Sequence, residues 1–232
     1  MNIRRISAIF EKDLKDLMKN LTLIITVAIP VIIALVLDRV LADAEPTVSM
    51  MYMIVGGTFA AVTSGTIMNM MAEENEKKTL RGLIQSPASL LDIIIGKSLV
   101  TVLATLVSLI VSLLITGIEP FLNIRVILGL ILLLVFFVLL GVCAALFAKS
   151  VAATSAFLMP FTFLFGFTPM IGSLGFAGEN SIAARITVTF PVMQAMKLHD
   201  NSSWLPLGII TIWVLGAAVI TYICFQKTKV DD

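Results

Sequence analysis

Charge is what this chain has least of. Asp, Glu, Lys and Arg make up 13% of its 232 residues, about half the share found in soluble globular domains. Hydrophobic residues reach 59%, against roughly 45–50% in such domains, so a water-soluble globule is excluded. Histidine is reduced to one residue and cysteine to two. The single histidine, His199, falls in a loop and is expected to have no role; it cannot build a histidine-based metal or catalytic centre. Cys143 and Cys224 each sit inside an apolar run, which leaves neither a disulfide framework nor a zinc-ligand spacing. A net charge of +1, with no basic patch interleaved with aromatics, argues against nucleic acid as a partner. Gly96-Lys97-Ser98 imitates the end of a phosphate-binding loop, but position 91, where that motif needs glycine, is Leu. We expect no catalytic residue, no metal and no cofactor on this chain.

What the chain has in quantity is long apolar runs. Six fall at about 21–41, 49–72, 94–118, 125–148, 151–172 and 204–226, each near the ~20 residues a helix needs to cross the hydrocarbon. Residues 1–20 are amphipathic: Ile3, Ile6, Phe10, Leu14, Leu17 and Leu21 recur at three and four, with Arg4, Arg5, Lys12, Lys15 and Lys19 around the rest of the helix. That pattern predicts a helix lying in the membrane interface, apolar face down. The first run begins too late and is too long to read as a secretory signal. The expected fold is thus an all-α polytopic membrane protein, a single transmembrane domain over 1–232 with an interfacial helix and six spans. Lys97, at the start of the third span, is expected to snorkel to the interface. Otherwise the spans hold hydroxyls and amides rather than charges. Thr63, Asn69, Ser155 and Thr162 are candidates for lining a pathway, although for any single one of them interhelical hydrogen bonding is the better explanation.

Lys and Arg set the orientation. With both termini in the cytoplasm, twelve of the sixteen fall inside, and only Arg39, Arg125, Arg185 and Lys197 outside. Between the fifth and sixth runs, residues 173–203 are too apolar for a solvated loop, and Arg185, Pro191 and Lys197 interrupt them too often for a span. A re-entrant or interfacial element is the physical reading, with Arg185 and Pro191 as its marked residues.

The remaining polar stretch, 73–93, separates the second and third runs. Glu73 and Lys77, and Glu74 and Lys78, stand four apart with the acid first, the favourable order in a helix. Leu80, Leu83 and Ile84 form an apolar stripe, and Pro87 disfavours helix at Ser86. This stretch resembles the loop of the membrane subunits of type-2 ABC exporters, E-x-E-x-G-T-L-E-x-L-L-x-x-P followed by G-K. Glu74, Glu76, Thr79, Leu80, Leu83, Ile84 and Pro87 fit it, as do Gly96 and Lys97; Lys78 and Arg81 depart from it. The resemblance implies a permease subunit in a bacterial cell membrane whose loop, Lys77 included, is a coupling helix docking on a separate ATP-binding subunit. ATP and Mg would be bound by that partner. It further implies a second permease chain, a copy or a paralogue, and export of a drug, an antimicrobial peptide, a lipid-like molecule or an ion. The alternative is a small secondary transporter working without ATP. The orientation is checked by single cysteines at Ser86, Asp200 and Lys229 in a chain lacking Cys143 and Cys224. In intact cells a membrane-impermeant thiol reagent should label position 200 and spare 86 and 229.

Overall fold

A computed structural model describes residues 3–41, 46–77, 90–148, 150–173, 182–200 and 203–230, and among these there is no strand. The chain opens with α1 (Ile3–Lys19) and α2 (Leu21–Leu41). Asn20 alone separates them. Its backbone N–H closes the last turn of α1 on Asp16 and Leu17, while its side-chain Oδ1 accepts from the N–H groups of Thr22 and Leu23 at the start of α2. One residue thus serves as the end of one helix and the cap of the next. Helix α3 runs continuously over Val48–Glu76. Its middle, Thr58–Gly65, is wound as a π-helix. Then come α4 (Leu90–Thr116), a 3-10 turn at Glu119–Leu122, and α5 (Ile124–Phe147). Gly117 makes the turn after α4 at φ +104°, a conformation a side chain would strain.

Among the described residues, five helices are long and apolar enough to cross a membrane: α2, α3, α4, α5 and α10 (Leu205–Val230). The remaining apolar run, expected over 151–172, is divided. Helix α6 (Val151–Phe161) passes into a π-helical turn, Thr162–Gly166. The chain then breaks at Phe167, and α7 (Thr168–Ser173) restarts it. The break puts Pro169 in the first turn of α7, where its missing N–H would be unpaired anyway. Within 173–203 the described residues include two short helices, α8 (Ile182–Thr187) and α9 (Pro191–Asp200). Pro191 opens α9 at the position proline favours. Far from hanging free, α9 buries Val192, Ala195 and Leu198 against α3, α5 and α10.

Helix α3 is the hub. Of its most apolar stretch 78% is buried, against 17% for α2 and 22% for α10. Its small residues make this possible. A Cβ on Gly56 would overlap the carbonyl of Gly166, and one on Gly141 of α5 would strike Ser64 and Ile67. Backbones approach this closely in membranes because apolar surface gains nothing by leaving lipid, so packing and hydrogen bonds must hold helices together. Polarity is accordingly turned inward: Thr58, Thr63, Ser64 and Thr66 are fully buried, while α2, α4 and α10 expose Ile, Leu and Val.

The N-terminal helix departs from expectation. Ile6, Ile9 and Leu17 of α1 are buried within the protein, and Ile9 sits against Gly96 of α4, where a Cβ would collide with it. The apolar stripe therefore faces the bundle, because the missing side chain at Gly96 gives α1 a seat on α4. Replacing Gly56 or Gly166 with Val should cost at least the ~1–3 kcal/mol of an overpacked site. Val at Gly216, which has open space around it, should leave the melting temperature of the detergent-purified protein unchanged.

Candidate functional site

Charged residues from three helices meet in one place. Helix α1 brings Lys12, Asp13 and Asp16, the end of α3 brings Glu73 and Glu74, and α4 brings Lys97. Lys97 Nζ lies 2.9 Å from Asp13 Oδ2 and 2.9 Å from Glu74 Oε2. Lys12 Nζ lies 2.5 Å from the other Glu74 oxygen and 3.3 Å from the other Asp13 oxygen. Two carboxylates thus alternate with two ammonium groups in a closed, neutral ring. Lys97 and Asp13 are each 1% exposed. The expected snorkelling of Lys97 is therefore wrong: α1 lies across its route to water and brings a carboxylate to it instead. Burial works against the Lys12 ammonium, but the Glu74 and Asp13 carboxylates outweigh it and raise its pKa. Beside the ring opens a cavity of about 410 Å³ whose walls include Asp16, Lys19, Asn20, Glu73 and Lys77.

Each acid at the end of α3 is held by a different part of the fold. Glu73 accepts from Asn20 Nδ2 at the α1–α2 joint, 3.2 Å, and pairs with Lys77. Glu74 belongs to the ring with α1 and α4. Glu76 accepts from the N–H of Val151, 2.9 Å, at the start of α6, where a helix terminus favours an anion. Asn75 donates to the carbonyl of Ala148, 3.3 Å. Glu74 is thus turned into the bundle rather than outward, and Glu76 is exposed but engaged. Lys77 is the last described residue before the loop. The other residues of the loop pattern, Thr79, Leu80, Leu83, Ile84 and Pro87, lie outside the described residues.

The four pathway candidates part company. Thr63 Oγ1 meets Thr105 Oγ1 of α4 at 2.9 Å, buried. Asn69 Oδ1 accepts from Thr154 of α6 at 2.7 Å. These two join helices. Ser155 is exposed. Thr162 lines a second cavity of about 370 Å³, almost wholly apolar, between α2, α3 and the π-helical turn after α6, with Ile29, Pro30, Ile33, Met53 and Phe167 among its walls. Of the two residues marked in 173–203, Arg185 is exposed and Pro191 buried.

Three features go beyond what was expected of the sequence. His199 is not idle: its Nε2 meets Tyr52 Oη at 3.1 Å, and its ring stands edge-on to Tyr52 and Phe121. Tyr52 in turn donates to the carbonyl of Ala195, 3.0 Å, fastening α9 to α3. Asp13 resembles one more polar residue of a basic helix, yet its spacing from Ile6, Ile9 and Leu17 puts it on their buried face. Finally, Lys97, Thr101, Thr105, Ser108, Ser112 and Thr116 recur at four and three along α4, and all are buried. A polar stripe with helical spacing inside an apolar run is the signal that marks this face.

Helices that hide hydroxyls and one charge ring while exposing aliphatics define a polytopic α-helical membrane protein. The family model described as ABC-2 family transporter protein matches residues 39–225, and the chain belongs to that family of membrane transport components. No curated protein matches the chain. The match begins at residue 39, so α1, which supplies half of the ring, precedes it.

Removing one member of a buried ion pair strands the other, at about 3–5 kcal/mol. Lys97→Met should therefore lower the melting temperature sharply. Asp13→Asn introduced beside it should restore part of the loss, because the ring then sheds one charge of each sign. Glu76→Ala, at an exposed helix terminus, should cost only ~0.3–1 kcal/mol.

Proposed function

We propose that this chain is the permease subunit of an ATP-driven exporter in a bacterial cell membrane, with both termini in the cytoplasm. Residues 73–93 would be the coupling loop on which a separate ATP-binding subunit docks, and a second permease chain would complete the path. The observation that carries this reading is the anchoring of Glu73, Glu74 and Glu76. The last turn of α3 leads directly into the loop, and it is tied to α1, to α4 and to the start of α6. A push on the loop would reach three other helices through short, charge-assisted contacts, which are the strong kind. ATP and Mg belong to the partner in this scheme. The cargo would be an apolar or amphipathic molecule such as a drug, an antimicrobial peptide or a lipid-like compound, in keeping with the apolar cavity at Thr162; an ion is the remaining class.

One observation favours the second reading, a secondary transporter working without ATP. Lys97, Asp13 and Glu74 are the kind of buried ionisable set that ion coupling uses. Such transporters place their sites near the middle of the bilayer, however, whereas this ring lies where α3 ends and α4 begins.

Docking depends on Leu80 and Leu83, the apolar ridge of the loop. Truncating a packed leucine to Ala costs about 2–5 kcal/mol, against ~0–1 kcal/mol for an exposed ion pair. The Leu80→Ala/Leu83→Ala chain should insert normally but lose most co-purifying ATP-binding subunit and most substrate-stimulated ATPase activity. Glu76→Ala should lose less. Wild-type behaviour of the double leucine variant would remove the coupling role from this loop.

A further inference from the structure

The seam between α3 and α4 contains a gap in its hydrogen bonding. The two helices are antiparallel, and two tiers of contact fix their register: Thr63 with Thr105, and Glu74 with Lys97. Thr101 stands one turn from both Lys97 and Thr105, on the same face of α4. On α3, Thr63, Thr66, Met70 and Glu74 likewise share a face, spaced by three, four and four. Thr66 and Thr101 therefore lie level in the seam, between the two tiers. Both are completely buried. Neither hydroxyl has a hydrogen-bond partner among the described residues.

Other hydroxyls of the two helices are satisfied within their own helix. Thr58, Thr105, Ser112 and Thr116 each turn back to the carbonyl four residues earlier, at 2.7–3.1 Å. The hydroxyls of Thr66 and Thr101 make no such bond to the carbonyls of Val62 and Lys97. A hydroxyl buried without a partner loses its hydration with nothing in return, and a buried water with two to four polar neighbours is the usual remedy. Lys97 adds a third group. Its ammonium carries three N–H donors; one is hydrogen-bonded to Asp13, and the group stands in an ion pair with Glu74 at 2.9 Å. Thr101 is its neighbour one turn along the helix.

We propose that Thr66, Thr101 and a further N–H of Lys97 form a binding site for one or more buried water molecules inside the bundle. The cavity beside the ring has Lys97 in its walls, and Met70, one turn from Thr66. A cation is the wrong ligand there, because the Lys97 ammonium faces the same space. Water gives Lys97 an acceptor that does not depend on Glu74. The inference is independent of what the protein transports.

The valine substitutions Thr66→Val and Thr101→Val change shape little and test the sign. In a hydrated seam each single variant removes a partner of the water and should lower the melting temperature by about 2–6 °C. The double variant should fall by less than the sum. In a dry seam each would remove an unsatisfied hydroxyl, and the melting temperature would rise. X-ray radiolytic labelling of the unaltered protein in detergent gives a second readout. Bound water next to Met70 should yield methionine oxidation there despite its burial, reduced at least severalfold in the double variant. Stabilisation by either valine, or an unlabelled Met70, overturns the proposal. So does a wild-type melting temperature that falls when sodium and potassium are replaced by N-methylglucamine, since a cation would then hold the site.

Discussion

A lysine ammonium that is 1% exposed has to be neutralised where it stands, and much of the architecture at the start of α4 follows from that requirement. An isolated ammonium in a low-dielectric interior costs several kcal/mol even after relaxation. Two carboxylates from two other helices meet Lys97, and Lys12 bridges the outer oxygens of both. The four groups carry no net charge together, so Lys97 and Asp13 can be buried without stranding a charge, while Lys12 keeps its contact with water. Its members come from α1, α3 and α4, and each helix must hold its place for the ring to close. That makes α1 an integral part of the bundle, where an isolated amphipathic helix would only rest on the lipid.

The same reasoning explains the centre of the molecule. A helix buried on every side in a membrane protein gains little from apolar burial, because lipid is an equally good solvent for its side chains. Helix α3 is held instead by close backbone approach at Gly56 and at Gly141 of α5, and by hydroxyl and amide bridges from Thr63, Ser64 and Asn69 to three different helices. At its far end the fold adds aromatic packing. Phe165, Phe190 and Trp213 make edge-on and tilted contacts, and Trp213 donates to the carbonyl of Thr189, 2.8 Å. The turn between α8 and α9 is thereby fixed to α10 and to the π-helical turn after α6. A stretch that looks like a loop in composition becomes part of the core.

Helix α3 also joins the two regions of interest. Its last turn holds the charge ring, its middle faces the apolar cavity at Thr58, and its first turns carry Tyr52 and the contact with α9. The π-helical segment Thr58–Gly65 sits between these regions. Such segments loosen the regular hydrogen-bond ladder and recur at functional positions. The proposed push from the loop would enter at one end of this helix and be felt at every site it touches.

The sequence by itself determined that the protein is helical and membrane-embedded, because runs of some twenty apolar residues leave the backbone no way to satisfy itself in lipid except as helix. It also determined the loop pattern that resembles the type-2 exporters. It did not determine partners. Lys97 near a span end reads as a snorkelling side chain until α1 is seen to lie over it. Asp13 reads as solvent-facing until Gly96 is seen to receive Ile9. His199 reads as a loop residue until α9 brings it to Tyr52. Each of these depends on which helix faces which. Between helices in a membrane that choice is made by glycine contacts and paired polar groups far apart in the chain, and no periodicity within one helix encodes it. Tertiary structure alone decided where the few charges would meet.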